Sequence, residues 1–408
     1  MADTICIVTP SHLAISSRTV KEADALYQAG YRVTVVFGQG DSSTLTAYDA
    51  TIATSRDWRP KAVNWNRDRR WGRWAFSGLR HRLCRKAWRV MEARFFAPLV
   101  LGRVYPELAR AAAAERADLY IGHFPEGLAA AGKAAERTGA LLAFDSEDFH
   151  LGEGAPSTQQ AVEVIQGKYL PECAYVSASS EAIGKCLTER YPSLRPVTVY
   201  NVFSQPNAGD SLDKAPHRRR HLSICWVSQT IGMDRGLQDA IRAVGLLDSP
   251  AELHIRGTFA NGAERELKEL AERAGVLERL HFYPQIAPWE LIASVASHDV
   301  GLALEQPCTL NHQVCAAIKL FLYFSAGVAV AATDTPGQRE VLELAPGAGA
   351  LYLPGDYEAL AAILNRWQSE PDALAAARKA SARAADERFN WAVEGRKLVA
   401  VVNSVLGR

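Results

Sequence analysis

The sequence predicts an α/β protein of two consecutive domains, each a parallel sheet covered by helices on both faces. Three observations predict it. Short apolar runs of strand type alternate with longer helical stretches. The alternation breaks at a stretch rich in Pro, Gly, Ser, Asp and Arg, "VFSQPNAGDSLDKAPHRRRH" at 202–221, and then restarts. A chain of 408 residues also suits two domains of about 200 residues each.

In the first half, "ICIVTP" is a strand, and "SSRTVKEADALYQAG" is a helix capped by Ser16 or Ser17 and ended by Gly30. "RVTVVFG" follows as a strand. "ADLYIGHF", "LLAFDSED", "AYVSAS" and "VTVYN" are further strands, separated by helices such as "GLAAAGKAAERTG". The second half repeats the scheme. "LSICWVSQ", "AELHIRG", "LERLHFYP", "DVGLALE", the glycine-started strand in "AGVAVAATD" and "GALYLPGD" are strands, and from "YEALAAILNRWQ" onward the chain is helical.

Hydrophobic content of 48% and charged content of 22% allow an ordinary globular core and exclude a disordered chain. The net charge of +1 conceals an uneven distribution: from Arg56 to Arg94 there are thirteen Lys or Arg against three Asp or Glu. Seven cysteines are dispersed with no CxxC and no Cys/His ligand spacing, which points to reduced thiols and away from a zinc site. "MADTICIVTP" lacks a secretory profile, and no apolar run approaches the roughly 20 residues of a spanning helix. The expected location is cytoplasmic, with the inner face of the cell membrane as a peripheral alternative.

Neither domain has GxGxxG after its first strand, and no GxxxxGK[ST] occurs, so an ordinary NAD-binding domain or P-loop is not expected. "SQTIGMDRGL" nevertheless leads from a strand into a helix, where amide groups and the helix dipole favour phosphate. Arg235 opposes that dipole as a structural residue and suits it as a phosphate ligand. Lys319 lies in the apolar helix "AAIKLFLYFSAG", where an ammonium is desolvated unless it snorkels to water or meets an anion. Two cations near carboxyl ends of strands in one domain are economically explained by one diphosphate.

In the first domain, His123 follows a strand and precedes "PEGLAAAG". "FDSEDFH" supplies Asp145, Glu147, Asp148 and His150, a set suited to metal binding, to acid–base work, or to capping the next helix. Segment 67–101 carries an apolar stripe at Trp71, Ala75, Leu79, Leu83, Ala87, Met91, Phe95 and Leu99 among many arginines. Such a helix can lie on an anionic membrane, bind nucleic acid, or pack on its own domain with a solvated basic face.

With these residues in view, the chain resembles the GT-B glycosyltransferases, specifically retaining enzymes like glycosyltransferase family 4, over nearly its whole length. The resemblance rests on an ordered set: "HFPEG", "YVSASSEAIGKCL", "VTVYN", "SQTIGMDRGLQDAI", "AELHIRG", "LERLHFYP", "DVGLALE", "IKLFLYFSAGVAVAATDTPGQRE", "LYLPGD" and "FNWAVEGRKLVAVV". It implies two Rossmann-like domains facing across a cleft. Residues 1–205 form the acceptor side and contain the basic segment 67–101. Residues 206–385 bind the donor, and 386–408 form a helix returning to the first domain.

The resemblance also implies a nucleotide-diphosphate sugar as donor, transfer with retention to an acceptor hydroxyl, and neither cofactor nor metal. Catalytic roles then fall to His123 and Glu305. Donor-phosphate contacts fall to Arg235, Lys319, Gln229 and Gly232, and donor-sugar or nucleotide contacts to Asn311, Tyr323 and Thr335. Ser17, Arg18, Asp145, Glu147 and Asp148 stand on the acceptor side. A membrane-docked segment 67–101 would make the acceptor a lipid-linked or cell-envelope saccharide; nucleic acid is not an expected partner.

The sequence departs from the family pattern at three places. The position of its second glutamate, five before Gly327, is Leu322, and that of the first is Val314, so Glu305 is the substitute. The phosphate-binding arginine appears as Gln229, and the N-terminal Gly-Gly loop as "AISSRT". Two alternatives follow: a GT-B-like binding or scaffold subunit that has lost catalysis, and a nucleotide-sugar epimerase on the same fold.

Overall fold

The computed structural model describes residues 3–91, 94–204 and 221–408. Most of the segment read as a linker, 205–220, lies outside the described residues. The chain divides into two compact units, Met1–Val199 with Gly395–Arg408, and Tyr200–Glu394.

The first unit holds strands β1 (Thr4–Thr9), β2 (Arg32–Gln39), β3 (Arg59–Asn64), β4 (Leu119–His123), β5 (Leu141–Ser146), β6 (Cys173–Ala178) and β7 (Val197–Thr198), in the order β3-β2-β1-β4-β5-β6-β7. All pairings are parallel. Its helices are α1 (Ser17–Gln28), α2 (Ser43–Thr54), α3 (Trp71–Met91), α4 (Ala97–Leu101), α5 (Tyr105–Ala113), α6 (Phe124–Thr138), α7 (Pro156–Tyr169) and α8 (Glu181–Arg190). The central strands are Val/Ile/Leu runs buried on both faces, as crossover helices require. β3, "RPKAVN", escapes the sequence reading because it is an edge strand: its Arg59, Pro60 and Lys61 suit an edge with one neighbour and give no apolar run.

The second unit holds β8 (Leu222–Ile231), β9 (Ala251–Phe259), β10 (Leu280–Tyr283), β11 (Val300–Ala303), β12 (Ala329–Thr333) and β13 (Gly349–Tyr352), ordered β10-β9-β8-β11-β12-β13 and again parallel throughout. Its helices are α9 (Leu237–Gly245), α10 (Ala263–Arg273), α11 (Leu291–Ala296), α12 (Leu310–Val314), α13 (Ile318–Ala326), α14 (Pro336–Glu343), α15 (Tyr357–Ser369) and α16 (Pro371–Glu387). Ile224, Trp226, Leu253, Leu302, Ala331 and Leu364 lie in one continuous core beneath them. The last helix, α17 (Trp391–Leu406), starts in the second unit and belongs to the first from Gly395 onward. There Tyr31 donates to Asn403 Oδ1 at 2.6 Å, and Arg408 pairs with Asp3 at 2.7 Å.

In each sheet the chain runs outward from the first strand and then restarts on its other side. The topological switch points therefore fall between β1 and β4 and between β8 and β11, where ligands of open α/β sheets bind. Ser16 occupies the cap position of α1, yet its hydroxyl makes no capping bond. The basic segment is not one continuous helix but α3 and α4. The stripe read as an apolar face is largely solvent-facing: Trp71, Leu79 and Leu83 are exposed, and among the described side chains of α3 the buried ones are Ser77, Cys84 and Trp88. Among the described residues no helix is long and apolar enough to cross a membrane.

Candidate active site

In the second unit three strand ends converge at the switch point. β8 runs into Gly232 and Arg235 and, through Gly236, into α9. Gly236 takes a φ of +72°, and a Cβ there would stand 2.5 Å from Leu304 O. Only glycine lets this turn close against the residue after β11. β11 delivers Glu305, whose carbonyl accepts from Thr333 Oγ1 at 2.7 Å. Gln338 Nε2 donates to Thr333 O and Ala303 O, which fixes the ends of β11 and β12 together.

Lys319, in the first turn of α13, places its Nζ 2.5 Å from Glu305 Oε1 and 5.7 Å from the centre of the Trp226 ring. Both side chains of the ion pair are 13% exposed. The anion met by Lys319 within the chain is thus a carboxylate. Burial raises the Glu305 pKa, but the Lys319 charge and hydrogen bond, with His312 and Arg235 behind them, outweigh it and hold the group below the usual carboxylate range.

The pair does not use up the positive charge gathered here. Arg235 Nε makes no hydrogen bond among the described residues, since Asp234 Oδ2 at 3.7 Å is beyond hydrogen-bond reach. His312 Nδ1 and Thr335 Oγ1 are also buried atoms without a hydrogen-bond partner among the described residues. Natural proteins rarely leave such groups unmated, and here they sit after β8, on α12 and at the start of α14. His312 escaped the sequence reading. The signal was Thr309, three residues earlier, whose hydroxyl accepts from the His312 amide at the start of the short α12.

The other expected donor contacts divide. Asn311 is buried on α12 beside this cluster, and Gly232 is buried at its edge. Gln229 is exposed, and its carbonyl accepts from Gln285 Nε2 at 2.5 Å. Tyr323 takes a structural place instead: it is fully buried, its ring fills the space over Gly301, and its hydroxyl donates to Leu302 O at 2.8 Å. Leu322 is buried at 4% exposure, so apolar packing occupies that point of α13.

In the first unit the switch point also carries charge, in a closed form. Arg18 grips Asp145 with Nε and Nη2 at 2.6 Å each and donates Nη1 to Val199 O at 2.5 Å. Ser177 Oγ donates to Asp145 Oδ1 at 2.5 Å. His123 Nε2 lies 2.5 Å from Glu22 Oε2, and its Nδ1 is 3.3 Å from Asp145 Oδ2 without a hydrogen bond. All four ionisable side chains are 3% exposed or less.

Burial lowers the His123 pKa, but the charge and hydrogen bond of Glu22, with Asp145 and Glu147, bring it above its ordinary value. Burial raises the pKa of Asp145, and Arg18 and His123 overcome that and hold it low. Glu147 is pushed up to about 7 by burial and by Asp148. Lys21 is brought down to about 7 by burial and by Arg18. Arg18, Asp145 and His123 therefore come together, while Ser17 is exposed at the start of α1 and stays outside.

A histidine with one ring nitrogen on Glu22 and the other facing Asp145 is engaged within the cluster rather than presented to a ligand. Phe124, directly after it, has φ +60°, a strained value for a bulky residue at the N-terminus of α6. Glu22 was missed in the sequence, although it lies four residues after Arg18 on the same face of α1. Among the described residues no group of three or more His, Cys, Asp or Glu is placed to hold a metal ion.

Residues 223–385, nearly all of the second unit, match the family model described as Glycosyl transferases group 1. No curated protein matches the chain in sequence. Solved structures match it along its whole length. Anabaena HepE in complex with UDP-glucose is 15% identical with a TM-score of 0.71, over 98% of this chain and 100% of that one. Sucrose-phosphate synthase from Thermosynechococcus elongatus is 12% identical with a TM-score of 0.71, over 99% of both chains. A Listeria monocytogenes protein assigned as a UDP-N-acetylglucosamine 2-epimerase is 14% identical with a TM-score of 0.60, over 100% of this chain and 97% of that one. These likenesses establish the fold, two Rossmann-like α/β units of the GT-B type. Since the epimerase shares it, the reaction has to be argued from the site.

Proposed function

We propose that the chain is a glycosyltransferase that takes a sugar from a nucleotide-diphosphate donor and places it, with retention and without a metal, on an acceptor hydroxyl. One observation carries the reading. Arg235 and Lys319 stand around Glu305 at the β8/β11 switch point, inside the stretch matching the glycosyl transferase model, with hydrogen-bonding groups still unmated. In the reaction the bond between the anomeric carbon and the donor phosphate oxygen breaks, the acceptor oxygen bonds to that carbon, and the acceptor's hydroxyl proton passes to the departing phosphate. The departing diphosphate gains charge, and cations already held in a half-buried setting stabilise it without reorganising.

Glu305 is assigned to keep Lys319 placed and ionised, and Thr335 and Asn311 to the donor sugar or nucleotide. Glu305 competes with the phosphate for Lys319, so Arg235 is the freer of the two cations. His123 is assigned a positioning role, as part of the charge cluster with Arg18 and Asp145 that supports the acceptor side. The basic α3 supports a lipid-linked or cell-envelope saccharide as acceptor. The pairing of Lys319 with Glu305, together with Leu322 at the second glutamate position, favours one competing reading, a binding or scaffold subunit.

Thermal unfolding against UDP, GDP, ADP, dTDP and CMP separates the two. A nucleotide at a hundred times its dissociation constant adds about 2.7 kcal/mol, a rise on the order of 5–10 °C. The transferase reading expects one nucleotide diphosphate to produce it, and that donor then to support sugar transfer. No shift from any of them, with no transfer, leaves the scaffold.

A further inference from the structure

Helix α3 carries two separate rows of side chains, one packed by the fold and one, of large apolar residues, left exposed. The inner face carries Ser77, Cys84 and Trp88, all buried. It is fastened by His81 Nδ1 to Leu99 O at 2.9 Å, by Arg80 to Glu107 at 2.6 and 2.9 Å, and by Arg103 Nε to Ser77 Oγ at 3.0 Å. Trp74 Nε1 adds a bond to Asp41 at 3.0 Å. α3 is therefore held in one rotation, and its outer face is a defined surface.

That outer face is a seam. Phe76, Leu79, Leu83 and Val90 are 63%, 57%, 56% and 83% exposed. Their spacing of three, four and seven residues keeps them in one line along the helix. Singly exposed apolar residues are ordinary, but a row of large ones marks a contact surface. Trp71 and Phe95, also exposed, lie near its two ends in the sequence.

Charge decides what the seam meets. Helix α3 contains no Asp or Glu along its 21 residues. Arg82 and Lys86, three residues after Leu79 and Leu83, are exposed beside the seam and make no ion pair among the described residues. The arginines of the inner face are engaged: Arg80 with Glu107, and Arg73 with the carbonyl of Asn64 at 2.9 Å. The free positive charge thus accompanies the free apolar row. An apolar line with a cationic rim and no acid is the pattern of a helix lying in the interface of an anionic bilayer, where the side chains reach the acyl boundary and the cations meet phosphate headgroups.

We propose that the outer seam of α3 docks the protein on an anionic lipid surface, with Phe76, Leu79, Leu83 and Val90 inserting and Arg82 and Lys86 on headgroup phosphates. The inference is independent of the sugar-transfer reading. A chain that bound no nucleotide and still bound lipid in this way would retain it.

The test is co-sedimentation of the full chain with phosphatidylcholine vesicles, with and without phosphatidylglycerol, at low and high salt. Binding is expected only with phosphatidylglycerol and is expected to weaken with salt. The combined Arg82→Glu, Lys86→Glu variant loses roughly thirtyfold or more, at about 1 kcal/mol for each cation near the surface. Leu79→Ser with Leu83→Ser loses roughly tenfold or more. Both variants alter exposed positions, so their melting curves should match the parent and separate lost docking from lost folding. Equal binding to neutral vesicles, or no binding at all, overturns the proposal. So does a serine variant that binds like the parent, which would reduce the seam to an electrostatic patch. Concentration-dependent dimers abolished by the serine pair, in a protein indifferent to vesicles, would assign the seam to a second copy of the chain and overturn it as well.

Discussion

The two switch points of this molecule carry nearly the same kinds of side chain and use them in opposite ways. At β1/β4, Arg18, Asp145, His123 and Glu22 are sealed from solvent, and their charges are matched within the cluster. At β8/β11, Lys319 and Glu305 form a comparably short pair, but Arg235, His312 and Thr335 retain unmated polar atoms and the cluster reaches solvent. The difference teaches that charge at a carboxyl strand end does not by itself make a ligand site. What distinguishes the second cluster is that a cationic donor, Arg235 Nε, is buried there without a hydrogen-bond acceptor among the described residues. On the function proposed above, the first is a structural element and the second the place that takes an anion.

The strongest way to break the comparison is to remove one partner from the sealed cluster. Arg18→Ala leaves Asp145 buried with only His123 and the Ser177 hydroxyl beside it, and breaking a buried pair costs about 3–5 kcal/mol. Urea unfolding should show that loss, and Arg18→Met with Asp145→Leu should recover much of it by replacing the pair with apolar volume. A loss below about 1 kcal/mol for Arg18→Ala would mean that the cluster is not a structural unit.

The complementary experiment is directed at the open cluster. Lys319→Ala should change stability much less, because Glu305 can reach solvent, while weakening nucleoside diphosphate binding. One lost charge-assisted contact is worth about 1.5–3 kcal/mol, or roughly 10- to 150-fold in dissociation constant. Titration calorimetry on the two proteins checks it. If Lys319→Ala binds as well as the parent, Glu305 holds that lysine permanently and Arg235 works alone.

How much of this was legible in the sequence follows the same division. The parallel sheets and the two-unit plan were readable because buried parallel strands announce themselves as apolar runs, and β3 was lost because an edge strand does not. Arg235 and Lys319 were readable as misfits, a cation at a helix start and one inside an apolar helix. Tyr323 was misread because helical spacing marks which residues face the sheet without saying whether a hydroxyl is satisfied there by Leu302 O. Glu22 was passed over because an acid on an amphipathic helix looks solvated until the partner, His123, arrives from a strand 101 residues away. Helix α3 is the sharpest case. Its sequence holds two rows of similar period, and only the acceptors on neighbouring elements, Glu107 and Leu99 O, decide which one turns inward.

The finest distinction between the clusters is one of proton linkage. His123 has its pKa raised in the folded chain by Glu22, Asp145 and Glu147 against the opposing effect of burial. Its contribution to stability is therefore complete below about pH 6.5, the ordinary histidine value, and is lost as pH rises through the folded-state value. A single proton gives a slope of at most about 1.4 kcal/mol per pH unit. Two neighbours titrate nearby. Glu147, raised to about 7, also loses stability as pH rises, but only between its ordinary value and about 7. Lys21, lowered to about 7, acts in the opposite sense above that point, where stability grows with pH. The quantity to measure is thus the difference in urea unfolding free energy between the parent and His123→Asn from neutral pH upward, since Lys21 contributes to both. That difference should shrink as pH rises. A difference that stays constant across the range would mean that His123 is held neutral, and the sealed cluster would then be a hydrogen-bonded network without a buried imidazolium.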